Sequence, residues 1–206
     1  MTTVFVASLG ALLPVTNPVF VLAAYAGLTD SFSKREVRRQ ATLVGVYSFL
    51  ILGAFALLGT VILHAFGISL YALQIAGGLV VAYAGFGMLS QREGFTAAER
   101  QDALDRAGKQ ADIAISPIAL PIVAGPGAIG VVIALAARNP GLEAHLDIIA
   151  ATATISIGLA LLLRWATPLV GRLGPVVVGA LVRVMGFLIL AIGVELVTHG
   201  FLDLPR

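Results

Sequence analysis

Residues 1–29 carry no charged side chain, and residues 41–91 hold no Asp, Glu, Lys or Arg. A helix needs about 20 apolar residues to cross the hydrocarbon core of a bilayer. Uncharged tracts this long therefore constrain the fold more than any other feature of the chain. Composition agrees. The sequence is 59% hydrophobic and 12% charged, where soluble domains carry about 25% charged residues, and its mean hydropathy is +1.00. A soluble fold of 206 residues has too little interior to hide that surface. The chain reads as an all-α integral membrane protein, one transmembrane domain over residues 1–206. Its net charge of +2 does not point to nucleic acid, because the basic residues sit between apolar runs. With no cysteine, disulfides, thiol catalysis and Cys-ligated metal are excluded. The N-terminal run lacks the positive start of a signal peptide and reads as a retained span.

Six spans follow, at 4–28, 41–66, 68–90, 113–137, 144–168 and 176–198. The tract 41–91 divides at "HAFGIS", where His64, Gly67 and Ser69 mark a tight turn. Loop charge sets the orientation. Lys34, Arg35, Arg38 and Arg39 follow the first span, and Arg92, Arg100, Arg106 and Lys109 follow the third. Arg164 near the end of the fifth span, Arg172 after it and Arg183 near the start of the sixth add three more. Of the 13 basic residues, only Arg138 and Arg206 fall on the other side. Both termini are expected outside, with the odd-to-even loops in the cytoplasm.

The chain also repeats itself. "LLPVTNPVFVLAAYAGL" resembles "ALPIVAGPGAIGVVIAL", with Pro14 matching Pro121 and Pro18 matching Pro126. "IAGGLVVAYAG" in the third span resembles "VMGFLILAIGV" in the sixth, and the offset stays at 107–109 residues. Two halves of three spans each, 4–90 and 113–200, would have opposite orientations, as in the inverted repeats of secondary transporters. Residues 91–112 form a cytoplasmic linker, in which Thr96–Glu99 has the pattern of a capping box.

Helix breakers stand at matching depth in the two halves. The first span carries Asn17-Pro18 at its middle and the fourth carries Gly125-Pro126. Asn is a good N-cap and Pro suits the first helical position, so each span is expected to split into two half-helices. Opposite orientations then aim both second-half N-termini, the positive dipole ends, at one central region. Free amides there suit a carboxylate. Broken backbone at mid-membrane is tolerated only where protein or a watery cavity covers it. The alternative is a pair of simple proline kinks. On the binding-site reading, Thr16, Asn17, Pro18, Ser116, Ala124, Gly125, Pro126 and Gly127 are the candidate substrate residues. Gly77, Gly78 and Gly85, with Gly186 and Gly193, read as helix-packing positions.

These same segments carry a family resemblance. "LLPVTNPVFVL", "FGISLYALQIAGGLVVAYAGFGML", "ISPIALPIVAGPGAIGVVI" and "VRVMGFLILAIGVELV" resemble the MarC family of bacterial inner-membrane proteins, which includes the SnatA-type small neutral amino acid transporters. The resemblance implies a six-span inner-membrane exporter or exchanger of amino acids such as alanine, glycine, serine or threonine. It is compatible with proton or sodium coupling and with a homo-oligomer. Gln74 stands where members often have Arg, and Glu195 where Gln is usual. Both are coupling candidates, Glu195 as a carboxylate inside a span or, alternatively, as an interfacial partner of His199.

No HExxH, GxSxG, P-loop or acidic metal cluster is present in the sequence, so neither an enzyme nor a resident cofactor is expected. A channel, a structural or sensory membrane protein, and efflux of other small solutes including drugs remain the rival readings.

Overall fold

The computed structural model describes residues 3–90 and 112–204. The linker 91–111, with its Thr96–Glu99 pattern, lies outside the described residues. Every element among those described is helical: α1 Thr3–Val15, α2 Pro18–Leu28, α3 Lys34–Ala65, α4 Leu70–Leu89, α5 Ala114–Val123, α6 Pro126–Arg138, α7 Leu142–Leu163 and α8 Ala166–Leu202. Four helical stretches are long and apolar enough to cross a membrane: α3, α4, α7 and residues Val176–Leu202 of α8. The total is six if each bent pair counts as one span, α1 with α2 bent by 45° and α5 with α6 bent by 60°.

The breaks fall where the breakers stand. Asn17 takes a left-handed conformation (φ 46°, ψ 65°) that Asn tolerates better than most residues. Its side-chain oxygen accepts from Phe20 N at 3.2 Å, and Pro18 opens α2. Pro126 likewise opens α6, but Gly125 before it is extended (φ −74°, ψ 174°) and offers no side-chain cap.

Two expectations need correction. The run "KREVRRQ" was expected in a loop, yet α3 begins at Lys34. Ser33 caps it by accepting from Glu36 N at 3.2 Å, and Glu36 accepts from Arg39 at 3.1 Å and from Gln40 at 3.2 Å. A capping residue with local ion pairing outweighs the polarity of the run. The first half of the fourth span, in turn, is not an α-helix. Its amides reach five residues back, Ile118 to Ile113 O at 3.4 Å and Ala124 to Ala119 O at 2.9 Å. Ser116 (φ −137°, ψ 123°) and Leu120 (φ −125°, ψ 130°) are extended. Each precedes a proline, whose ring pushes its neighbour out of helical space, and both X-Pro bonds are cis.

Packing is closest along α4 and α8. A Cβ on Gly78 would lie 2.6 Å from the Gly193 carbonyl oxygen, and one on Gly186 would lie 3.1 Å from the Gly85 carbonyl oxygen. The backbones themselves therefore touch, as small residues allow between helices in lipid. Gly77 faces Gly130 of α6, and α3 lies along α7, where Gly45 meets Ser156 and Ala160. One core joins Tyr25, Leu28, Val44, Ile113, Leu159 and Leu163. A second joins Leu12, Leu52, Ala128, Val132, Ile148 and Ile155.

The ends of the bundle can be read from contacts. Thr3 shares a recess with Glu143 and Asp147, Gly67 shares one with Ala137, and Arg138 pairs with Asp203 at 2.8 Å. At the opposite end, Leu28 packs in one core with Ile113 and Leu163, and Arg164 donates to the Thr42 hydroxyl at 3.0 Å.

Candidate functional site

The two breaks line one cavity. It measures about 220 Å³ and takes Asn17 from the first break and Gly125, Pro126, Gly127 and Ala128 from the second. The walls are apolar. Val80, Val81, Ala84 and Met88 come from α4, Ile189 from α8, and Val15, Phe20, Pro121 and Ile122 from around the breaks.

Polar groups are few and definite. Asn17 is buried, and its amide is held at both atoms: the oxygen caps α2, and the nitrogen donates to Met88 Sδ at 3.1 Å. At the start of α6, Pro126 has no N–H. Ile129 N bonds the Gly125 carbonyl at 3.0 Å, leaving Gly127 and Ala128 as the first-turn residues whose amides have no helical acceptor. Both line the cavity. The field is therefore unequal at the two breaks: in α2 the Asn17 side chain takes up the Phe20 amide, while the first turn of α6 has no side-chain cap.

The other candidates lie elsewhere. Thr16 is buried, and its hydroxyl donates back to Leu13 O at 3.1 Å. Ala124 belongs to the second core. Neither Thr16, Pro18, Ala124 nor Ser116 lines the cavity; Ser116 stands in the extended part of α5. Gly127 lines it, yet its missing side chain is what Val81 occupies: a Cβ there would lie 2.5 Å from Val81 Cγ2.

Both coupling candidates are also off the cavity. Glu195 is 69% exposed on α8, and its carboxylate lies 3.2 Å from His199. Gln74 is buried where α4, α6 and α8 end together. Its amide satisfies both neighbours with the oxygen accepting from Arg138 Nε at 3.0 Å and the nitrogen donating to Asp203 at 3.3 Å.

Sequence reasoning missed Met88, and it missed the α4 wall of the cavity. Val81, Ala84 and Met88 follow helical spacing on one face, but an apolar face in a span looks the same toward lipid as toward a cavity. It also missed the Arg138–Asp203 pair, which joins residues far apart in sequence.

Comparison with known proteins gives a consistent result. The sequence model described as MarC family integral membrane protein matches residues 2–204. The chain is 33% identical over 206 residues to the UPF0056 inner membrane protein MarC of Salmonella typhimurium, covering 95% of this chain and 92% of that one. It is 33% identical over 208 residues to the protein of the same name from Escherichia coli O6:H1, with the same coverage. No solved structure matches it.

Proposed function

This chain belongs to the MarC family of integral membrane proteins, and from that premise we propose that it is a secondary transporter of small neutral amino acids, exporting or exchanging them across the cytoplasmic membrane by alternating access. The substrate binds between the two breaks. One observation carries the reading: breakers far apart in sequence, in two spans, line a single cavity. Isolated proline kinks have no reason to meet.

The cavity's chemistry suits an amino acid. The uncapped start of α6 favours a carboxylate, and the apolar walls suit a short aliphatic side chain. The size speaks against drug efflux, since about 220 Å³ is below the roughly 300–1,000 Å³ of pockets that hold drug-sized ligands.

An inverted repeat is part of the proposal. Pro18 and Pro126, Ser48 and Ser156, Gly78 and Gly186, and Gly85 and Gly193 all stand at one constant offset. Replacing each residue of the Gly78–Gly193 contact by its offset partner yields the Gly186–Gly85 contact. That exchange is what a two-fold axis does. With α1–α2 and α5–α6 each counted as one crossing, each half crosses three times, so the axis lies in the membrane plane. Both termini are then on the same side, which the charge bias assigns to the outside.

Counterflow in proteoliposomes tests the function. Vesicles loaded with unlabelled alanine, glycine, serine or threonine should accumulate the labelled amino acid transiently. Loading with the corresponding amino acid amide should not drive uptake. A channel would dissipate the label without overshoot, and a structural or sensory protein would move none; either result removes the proposal.

A further inference from the structure

The outer face of the α3–α7 pair holds a second recess, a groove of about 350 Å³, separate from the cavity between the breaks. Small residues create it. A Cβ on Gly45 would lie 2.8 Å from both the Ser156 carbonyl oxygen and Ala160 Cβ, so the two backbones nearly meet at the floor. Val46, Leu50, Ile157 and Leu161 stand beside it as exposed walls. The slot is apolar along its length, apart from Ser156 in the floor.

Charge gathers at one end. Arg164 closes that end, with its guanidinium donating to the Thr42 hydroxyl at 3.0 Å. The Thr42 hydroxyl in turn donates to the Arg38 carbonyl at 3.0 Å, which places Arg38 one helical turn beyond the groove on the same face of α3. Lys34, Arg35 and Arg39 continue the basic first turns of that helix, all exposed. From Thr42 to Leu50 the groove covers about 12 Å of helix, close to the roughly 15 Å depth of one leaflet's hydrocarbon.

We infer that this groove is a binding site for a phospholipid with an anionic headgroup. One acyl chain lies in the slot between α3 and α7, and the headgroup phosphate is held by Arg164 and Arg38. The match is of charge as well as shape: the end that must receive the headgroup carries guanidinium groups, which pair with phosphate in a planar, two-bond geometry. Basic pockets between helices at a membrane surface take acidic lipids for this reason. A second copy of the chain fits worse. Two copies facing each other across this groove with parallel orientation would set Arg164 and Arg38 against their own counterparts. The inference does not depend on the transport reading.

The test uses the full chain, reconstituted in vesicles of equal phosphatidylglycerol and phosphatidylcholine, then solubilised, purified and analysed for retained lipid by native mass spectrometry. Phosphatidylglycerol should be retained in preference. Arg164→Gln should cut that preference about fivefold, the effect of one basic side chain at an anionic surface. Ala153→Phe, which fills the slot, should reduce retention of the lipid while the protein stays monodisperse. Arg172→Gln on α8 should leave retention unchanged. Equal retention of the two lipids by the wild type overturns the inference. So does an Arg164→Gln protein that keeps its preference, or a preference that falls equally with Arg172→Gln. Leu50→Cys adds a further check in this cysteine-free chain: efficient disulfide-linked dimers in the membrane would assign the groove to a second copy instead.

Discussion

The carboxamide nitrogen of Asn17 lies 3.1 Å from the sulfur of Met88, a contact between residues 71 positions apart at the edge of the central cavity. A thioether is a weak acceptor. The amide is thus anchored at its oxygen and only weakly held at its nitrogen, and on the transport proposal a substrate carboxylate would offer that nitrogen a better partner.

Met88→Leu tests this relationship. The volume is nearly conserved, so stability should change by less than about 1.5 kcal/mol. With no sulfur to donate to, the Asn17 amide loses its partner in the empty protein, and substrate binding should tighten. Isothermal titration with the amino acid identified by counterflow measures it. Weaker binding would mean that Met88 itself contacts the substrate.

Substitutions at Asn17 separate its backbone from its side chain. Gly tolerates the left-handed conformation and costs a few tenths of a kcal/mol as an N-cap, whereas losing the cap to Ala costs about 0.5–2 kcal/mol and the strained backbone adds roughly 1–2 kcal/mol more. Asn17→Ala should therefore unfold at a clearly lower temperature than Asn17→Gly. Both should weaken substrate binding by about tenfold, the worth of a hydrogen bond to a charged group. Unchanged affinity in the folded Asn17→Gly protein would remove the side chain from the site.

Glycines sort by what their missing side chains would meet. Gly193→Ala would place a methyl 2.7 Å from Ala82 Cα and from the Gly78 carbonyl oxygen, forcing α4 and α8 apart. Overpacking of this kind costs about 1–3 kcal/mol. Gly158→Ala meets nothing within 4 Å and should hold or raise the unfolding temperature, since Ala favours helix. Thermal unfolding in one detergent compares the two directly.

Glu195→Gln should leave amino acid uptake intact, because the carboxylate is exposed on α8 and bonded to His199 away from the cavity. Uptake driven by an imposed pH gradient is the measurement. If the mutant transports but no longer responds to the gradient, the Glu195–His199 pair is the coupling group after all.

Orientation is open to single-cysteine labelling, since the chain has no cysteine of its own. Phe66→Cys, at an exposed turn between α3 and α4, should react with an impermeant maleimide added to intact cells. Ser31→Cys, between α2 and α3, should react only after the membrane is opened.

Much of this architecture was legible because lipid punishes exceptions. Asn17-Pro18 and Gly125-Pro126 stood out since few residue types break a span, and both pairs do begin helices. The glycines of α4 and α8 were readable as packing positions for the same reason, and they do pack. What stayed hidden was direction. Pro117 and Pro121 signal a disturbed helix in α5, but not the five-residue bonding path it takes around them, and nothing in Val81 or Met88 says whether they face lipid or a cavity. The start of α3 was misjudged because charge alone suggested a loop, while Ser33 and Glu36 carried a capping signal within the same run. Thr16 and Ser116 were drawn toward the site by chemistry alone. A hydroxyl in a span is as ready to bond its own helix, as Thr16 does.

The seam of α4 and α8 has a consequence for motion. Where side chains interlock, two helices can trade one set of rotamers for another and settle in a new position. At Gly78, Gly85, Gly186 and Gly193, backbone lies against backbone, and at these points no side chain can swing aside to let the helices slide. On the transport proposal, such a joint would serve as an axle, keeping its two members at one spacing while the bent elements around it, α1–α2 and α5–α6, turn.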